Sequence, residues 1–174
     1  AESVSSPQVV PHSREAEEAV IGSILINPDA YYDVVEFLQA EDFYLHKHRW
    51  IFDSFNRLHE QRTPIDILTV TEELDQMGYL GEIGGPAYLT ALISNVPTAL
   101  HATAYGHMVE DTAIRRRMIE AANQSKQCWL PELGPPRRLE DVLADVPGFE
   151  RALVAAPGTE SVLDIAGDLA GVRT

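Results

Sequence analysis

Six histidines, one cysteine and several adjacent acid pairs are the side chains here whose types could do chemistry. His46-Lys47-His48 invites a metal reading. His59, His101 and His107, however, sit on helical stretches with no paired carboxylate at ligand spacing, so the histidines are expected at the surface or half-buried. Glu17-Glu18, Glu72-Glu73 and Glu110-Asp111 are neighbours in sequence. Neighbours on a helix diverge by about 100°, so the carboxylates of a pair do not converge on one substrate, and solvated faces are expected. Cys128, beside Trp129 in an expected loop, has no second cysteine to pair with, and structural zinc needs about four ligands. No serine stands in a Gly-x-Ser-x-Gly context. The only lysines are Lys47 and Lys126, neither following a glycine, so there is no P-loop and nucleotide hydrolysis by that mechanism is excluded. Catalytic, cofactor and metal residues are all assigned as none.

One basic cluster stands out, Arg115-Arg116-Arg117. Three successive residues spread over about 200° of a helix, so at least one of them faces away from any core. Two readings stay open. The arginines pair with Glu110, Asp111 and Glu120 at helical spacing, worth tenths of a kcal/mol each, or they anchor a protein interface through their planar forks. The interface candidates on that stretch are Tyr105, Val109, Arg115, Arg116, Arg117 and Met118.

The 174 residues carry 13 basic against 27 acidic side chains, a net charge of −14. Residues 1–124 alone hold 8 basic and 19 acidic. Neutralising phosphates takes clustered Lys and Arg, so little direct DNA binding is expected; a basic patch on a partner protein would be attracted instead. The hydrophobic fraction of 45% supports a core, and no apolar run reaches the roughly 20 residues of a membrane span. A single cysteine fits a reducing cytoplasm. The chain opens on Ala1, as a processed or trimmed product would, and shows no charged segment leading into an apolar signal.

The elements that must position these residues are helices throughout. Residues 1–11 are small, polar and proline-containing, an expected disordered lead-in. Ser13 then caps a helix whose Ala16, Ala19, Val20, Ser23, Ile24 and Ile26 recur at helical spacing until Asn27-Pro28. A second helix opens at Pro28 and runs through Tyr31, Val34, Val35 and Leu38. Residues 41–44 form a link. His48 to Gln61 is amphipathic through Ile51, Phe52, Phe55 and Leu58. Leu68 to Met77 is closed by Gly78. Gly84-Gly85-Pro86 turns into a helix from Ala87 to Asn95, and Pro97 separates it from a long one, Thr98 to Lys126. No stretch alternates with period two over a strand's length. The class is all-α: a compact bundle of about six helices over 12–97, then a long helix over 98–126 that begins a helical hairpin. Residues 127–174 are interrupted by Pro131, Gly134, Pro135, Pro136 and Pro147-Gly148, with a short helix expected at Leu139–Val146.

Taken in order, five motifs resemble the N-terminal domain of bacterial replicative DNA helicases of the DnaB family. They are Pro11 to Leu25; Asp42-Phe43-Tyr44 with His48 and Ile51-Phe52; Pro64-Ile65-Asp66 with Thr69-Val70 and Glu73-Leu74; Gly84-Gly85 with Tyr88-Leu89; and Ala104-Tyr105 with Val109, Ala113 and Arg116 to Ile119. Several have a physical reading. Gly22 suits close helix approach, Asp66 is placed to cap a helix, and Gly84-Gly85 make a turn that side chains would resist. The resemblance implies a bundle plus hairpin that builds the collar of a hexameric ring, self-associating and docking primase and, in some systems, a loader. It also implies that the RecA-like ATPase, with its ATP and Mg, lies outside this chain. Two positions depart from the family. Gly106 replaces a usual alanine at a cost of about 1 kcal/mol of helix stability, and Arg115 stands at an often apolar position. Prolines after Gln124 leave only a remnant of the second hairpin helix and a linker in residues 127–174.

The expected function is a non-catalytic collar domain in DNA replication. The rivals are a free-standing collar mimic that regulates the helicase, the helicase-binding domain of a primase, and, last, a small hydrolase using Cys128.

Overall fold

The computed structural model describes residues 10–96, 98–127, 145 and 147. Cys128, the Leu139–Val146 helix and nearly all of the lead-in and tail lie outside the described residues. The chain divides into two compact units, His12–Glu110 on the one hand and Ala1–Pro11 with Asp111–Thr174 on the other. Among the described residues there are seven α-helices, two 3₁₀ turns and no strand.

Helix α1 (Arg14–Ile26) starts where Ser13 accepts a hydrogen bond from the Ala16 amide. Its residues from Ala16 to Leu25 are buried almost all round, Glu18 being the exception, which makes α1 the central helix of the first unit. It packs on α6 (Gly85–Asn95), α3 (His46–Glu60) and α2 (Ala30–Val35). Gly22 is what allows the α6 contact: a Cβ there would lie 2.6 Å from the Leu92 carbonyl oxygen, and backbone cannot step aside as a side chain can. Ile26, expected on the buried face, is 46% exposed because the helix ends beside it.

Helix α4 (Ile67–Gln76) begins at Asp66, whose carboxylate accepts from the Leu68 and Thr69 amides while Thr69 accepts from the Asp66 amide. It ends in a Schellman motif, with Gly78 at φ 78° and the Tyr79 amide donating to the Leu74 carbonyl. Helix α3 ends the same way, its left-handed position taken by Arg62 at φ 57°. Three details differ from expectation. A single-turn helix α5 (Leu80–Ile83) fills the stretch before Gly84, the link at Ala40–Asp42 is a 3₁₀ turn, and α2 stops at Val35 with Leu38 still buried. Gly84 and Gly85, at φ 103° and 70°, make the turn from α5 into α6.

A 3₁₀ turn (Ala99–His101) leads into α7 (Ala102–Gln127). Its 26 residues make a rod of about 39 Å. Ala102, Gly106, Val109, Glu110, Ala113, Ile114, Met118 and Ala121 are buried at three- and four-residue spacing, one continuous stripe. Gly106 has a local reason. The Phe37 ring stacks on His107 with centroids 4.1 Å apart, and a Cβ at 106 would meet Phe37 Cζ at 2.9 Å.

Candidate functional site

Glu17-Glu18, Glu72-Glu73 and Glu110-Asp111 each split between core and surface. Glu17, Glu73 and Glu110 are buried, while Glu72 and Asp111 are exposed and Glu18 is half-buried. The 100° divergence that prevents convergence also drives one member inward, so a solvated face is the wrong description for three of the six acids. Each buried carboxylate has a partner. Glu73 accepts from the Arg57 guanidinium, which raises the Arg57 pKa, and Glu110 faces His107 Nδ1 at 3.2 Å.

Glu17 organises the most elaborate of these sites. Its carboxylate accepts from the Tyr44 amide at 2.6 Å, the Leu45 amide at 3.3 Å and His48 Nδ1 at 2.7 Å. Both Glu17 and His48 are fully buried, correcting the surface or half-buried placement expected for His48. A carboxylate only accepts, so Nδ1 carries a proton and donates to Glu17, while Nε2 is in hydrogen-bond contact with the Tyr88 hydroxyl at 2.8 Å. Leu45 precedes the first residue of α3, so Glu17 also puts a negative charge at that helix's N-terminus. One side chain from α1 thereby ties α3 and, through His48, α6. Around this centre, Arg14 donates to Glu18, and the Lys47 ammonium lies 3.7 Å from the centroid of the Tyr88 ring.

A Glu–His–Tyr series has the form of a relay that could activate a tyrosine oxygen, but its electrostatics oppose that use. Burial, and then the Glu18 charge, push the Tyr88 hydroxyl up to about 12, so the phenol holds its proton at neutral pH. Burial also lowers the Lys47 ammonium, with Arg14 adding to the effect. The series is suited to holding three helices in register. The sequence signal for it lay in spacing. Glu17 with Val20, Ile21 and Ile24, and His48 with Ile51, Phe52 and Phe55, each follow i, i+3, i+4, i+7, which puts both polar residues on apolar stripes. Among the described residues no group of three His, Cys, Asp or Glu side chains could hold a metal ion.

The six interface candidates fall in different environments. In the first unit Tyr105 is half-buried and Val109 is wholly buried in the apolar core. In the second, Arg115 is exposed, Arg116 and Arg117 are half-buried and Met118 is 3% exposed. Arg116 donates to the Pro11 carbonyl at 2.9 Å and Arg117 to the Pro147 carbonyl at 3.5 Å, so neither is merely a solvated partner for helix acids. No described helix is long and apolar enough to cross a membrane.

A small all-helical domain centred on one helix and braced by a buried acid–histidine–tyrosine series is the class that this geometry defines. The profile of the DnaB-like helicase N terminal domain matches residues 9–111, and the chain belongs to that family. It is 35% identical over 160 residues to the replicative DNA helicase DnaB of Leifsonia xyli, an alignment covering 92% of this chain and 34% of that protein. The chain thus spans about a third of that helicase. Among solved structures, the N-terminal domain of DnaB helicase from Mycobacterium tuberculosis matches with a TM-score of 0.71 at 36% identity, over 78% of this chain and 96% of that one. The N-terminal domain of the Helicobacter pylori DnaB helicase, described with its interactions with primase, matches with a TM-score of 0.54 at 21% identity, over 65% and 88% of the two chains. A second profile, an RNA methyltransferase domain, matches residues 100–171, less than half of the chain. The Leifsonia alignment necessarily takes in most of the same stretch, and the described part of it is almost all α7.

Proposed function

We propose that this chain is a non-catalytic collar domain of a replicative helicase, one that associates with copies of itself in a ring and docks primase or a helicase loader. The observation that carries the proposal is likeness at the level of a whole domain, since 96% of the M. tuberculosis N-terminal domain is covered. The Helicobacter domain, whose description includes interactions with primase, supports the choice of partner. The charge of −14 favours partners with basic faces and disfavours nucleic acid.

Within that role Arg115, exposed on α7, is the proposed anchor for a partner carboxylate, with Tyr105 contributing ring surface on its own part of the helix. Arg116 and Arg117 hold neighbouring segments through carbonyls, and Val109 and Met118 act as packing beneath the surface. The test is capture of primase and of a loader from the same organism by the purified chain. Retention of either one is expected, and retention of neither removes the docking role.

A further inference from the structure

The outward face of α2 carries an unusual combination. Tyr32, 56% exposed, is the only Phe, Tyr or Trp among the described residues that stands in the open. Its ring meets His59 of α3 edge to face at 5.4 Å and Tyr31 likewise at 5.8 Å, so it is propped rather than free to fold away. Tyr31 is itself fixed by donating to Asn56 at 2.9 Å. Asp29 and Glu36 flank Tyr32 at three- and four-residue spacing, Asp33 is its neighbour in the chain, and Glu60 follows His59. All four carboxylates are exposed, and none has a hydrogen-bond or ion-pair partner among the described residues. Arg57, which precedes Glu60 on α3, donates to Glu73, and the Glu60 charge acts on it only as a smaller effect.

A held aromatic ring bordered by unpaired carboxylates suits a guanidinium, which stacks on a ring face while its edge pairs with carboxylate oxygens. A phosphate-bearing partner would be repelled. A second copy, itself at a net charge of −14, is the less suited occupant. We propose that Tyr32 and His59, with Asp29, Asp33, Glu36 and Glu60, dock an arginine-bearing basic segment of another protein. This rests on the docking role proposed above and names a surface for it.

The test is fluorescence anisotropy of labelled peptides, alternating arginine–alanine and its lysine counterpart, against the full chain. The arginine peptide should bind the more tightly, Tyr32→Ala should weaken it about five- to tenfold, and Tyr32→Phe should retain it. Equal binding of both peptides, or no effect of Tyr32→Ala, overturns the proposal. So does a loss of self-association in Tyr32→Ala by sedimentation, which would assign the face to a second copy. If the peptide binds as stated but primase and loader do not, the replication reading fails and this surface stands.

Discussion

Glu17 must satisfy two backbone amides and a ring nitrogen from within the core. Removing it leaves one buried and two part-buried donors without this acceptor, and such losses are among the largest a single substitution causes. Glu17→Ala is expected to cost about 3 kcal/mol or more, measured by urea unfolding with near-UV circular dichroism to report the Tyr88 environment. A cost below about 1 kcal/mol would mean that the series braces nothing. Tyr88 gives the matching pH prediction. Its folded pKa is raised from 10.0 to about 12, so the stability linked to its neutral form is complete below pH 10 and is lost as pH rises towards about 12. The urea midpoint should therefore fall between about pH 9 and about pH 11.5, and fall less in Tyr88→Phe. Some of the fall will remain, because burial also raises the Tyr31 pKa. Polar residues were where the sequence was hardest to interpret. A charged side chain on an apolar stripe looks like a pattern error until its partner is known, and the partners of Glu17 lie 27 to 31 positions away.

Helix boundaries were far more legible, because caps are local chemistry. Ser13, Asp66, Gly78 and Gly84-Gly85 each do what their types suggest within a few residues. Two positions break local rules and yield predictions. Arg62 occupies a left-handed site at the end of α3 that glycine would fill without strain, so Arg62→Gly should stabilise by about 0.5–1 kcal/mol, read from the denaturant midpoint. Gly106 looked like a simple loss of helix propensity. Its neighbourhood shows why alanine would not recover that loss, since a Cβ would press into the Phe37 ring. Gly106→Ala is expected to destabilise by about 1 kcal/mol in the native sequence, and to stabilise when Phe37→Leu has first cleared the space. Stabilisation by Gly106→Ala alone would show that the ring yields freely. The α5 turn escaped notice because four residues, one of them Gly81, carry too little periodicity to register.

At the scale of the whole molecule, the order of motifs gave the family, because helices that bury one stripe each constrain which residues can recur and where. The docking role is a claim about surfaces, and surface residues leave no such periodic trace; Arg115 drew notice only as one of a basic cluster, and Tyr32 stood out only once its exposure was known. The most direct measurement is sedimentation velocity of the purified chain from about 1 to about 100 μM, alone and with equimolar primase of the same organism. Self-association that grows with concentration, and a faster boundary containing both proteins in the mixture, are the predicted results. A monomer at every concentration that sediments independently of primase would contradict the account.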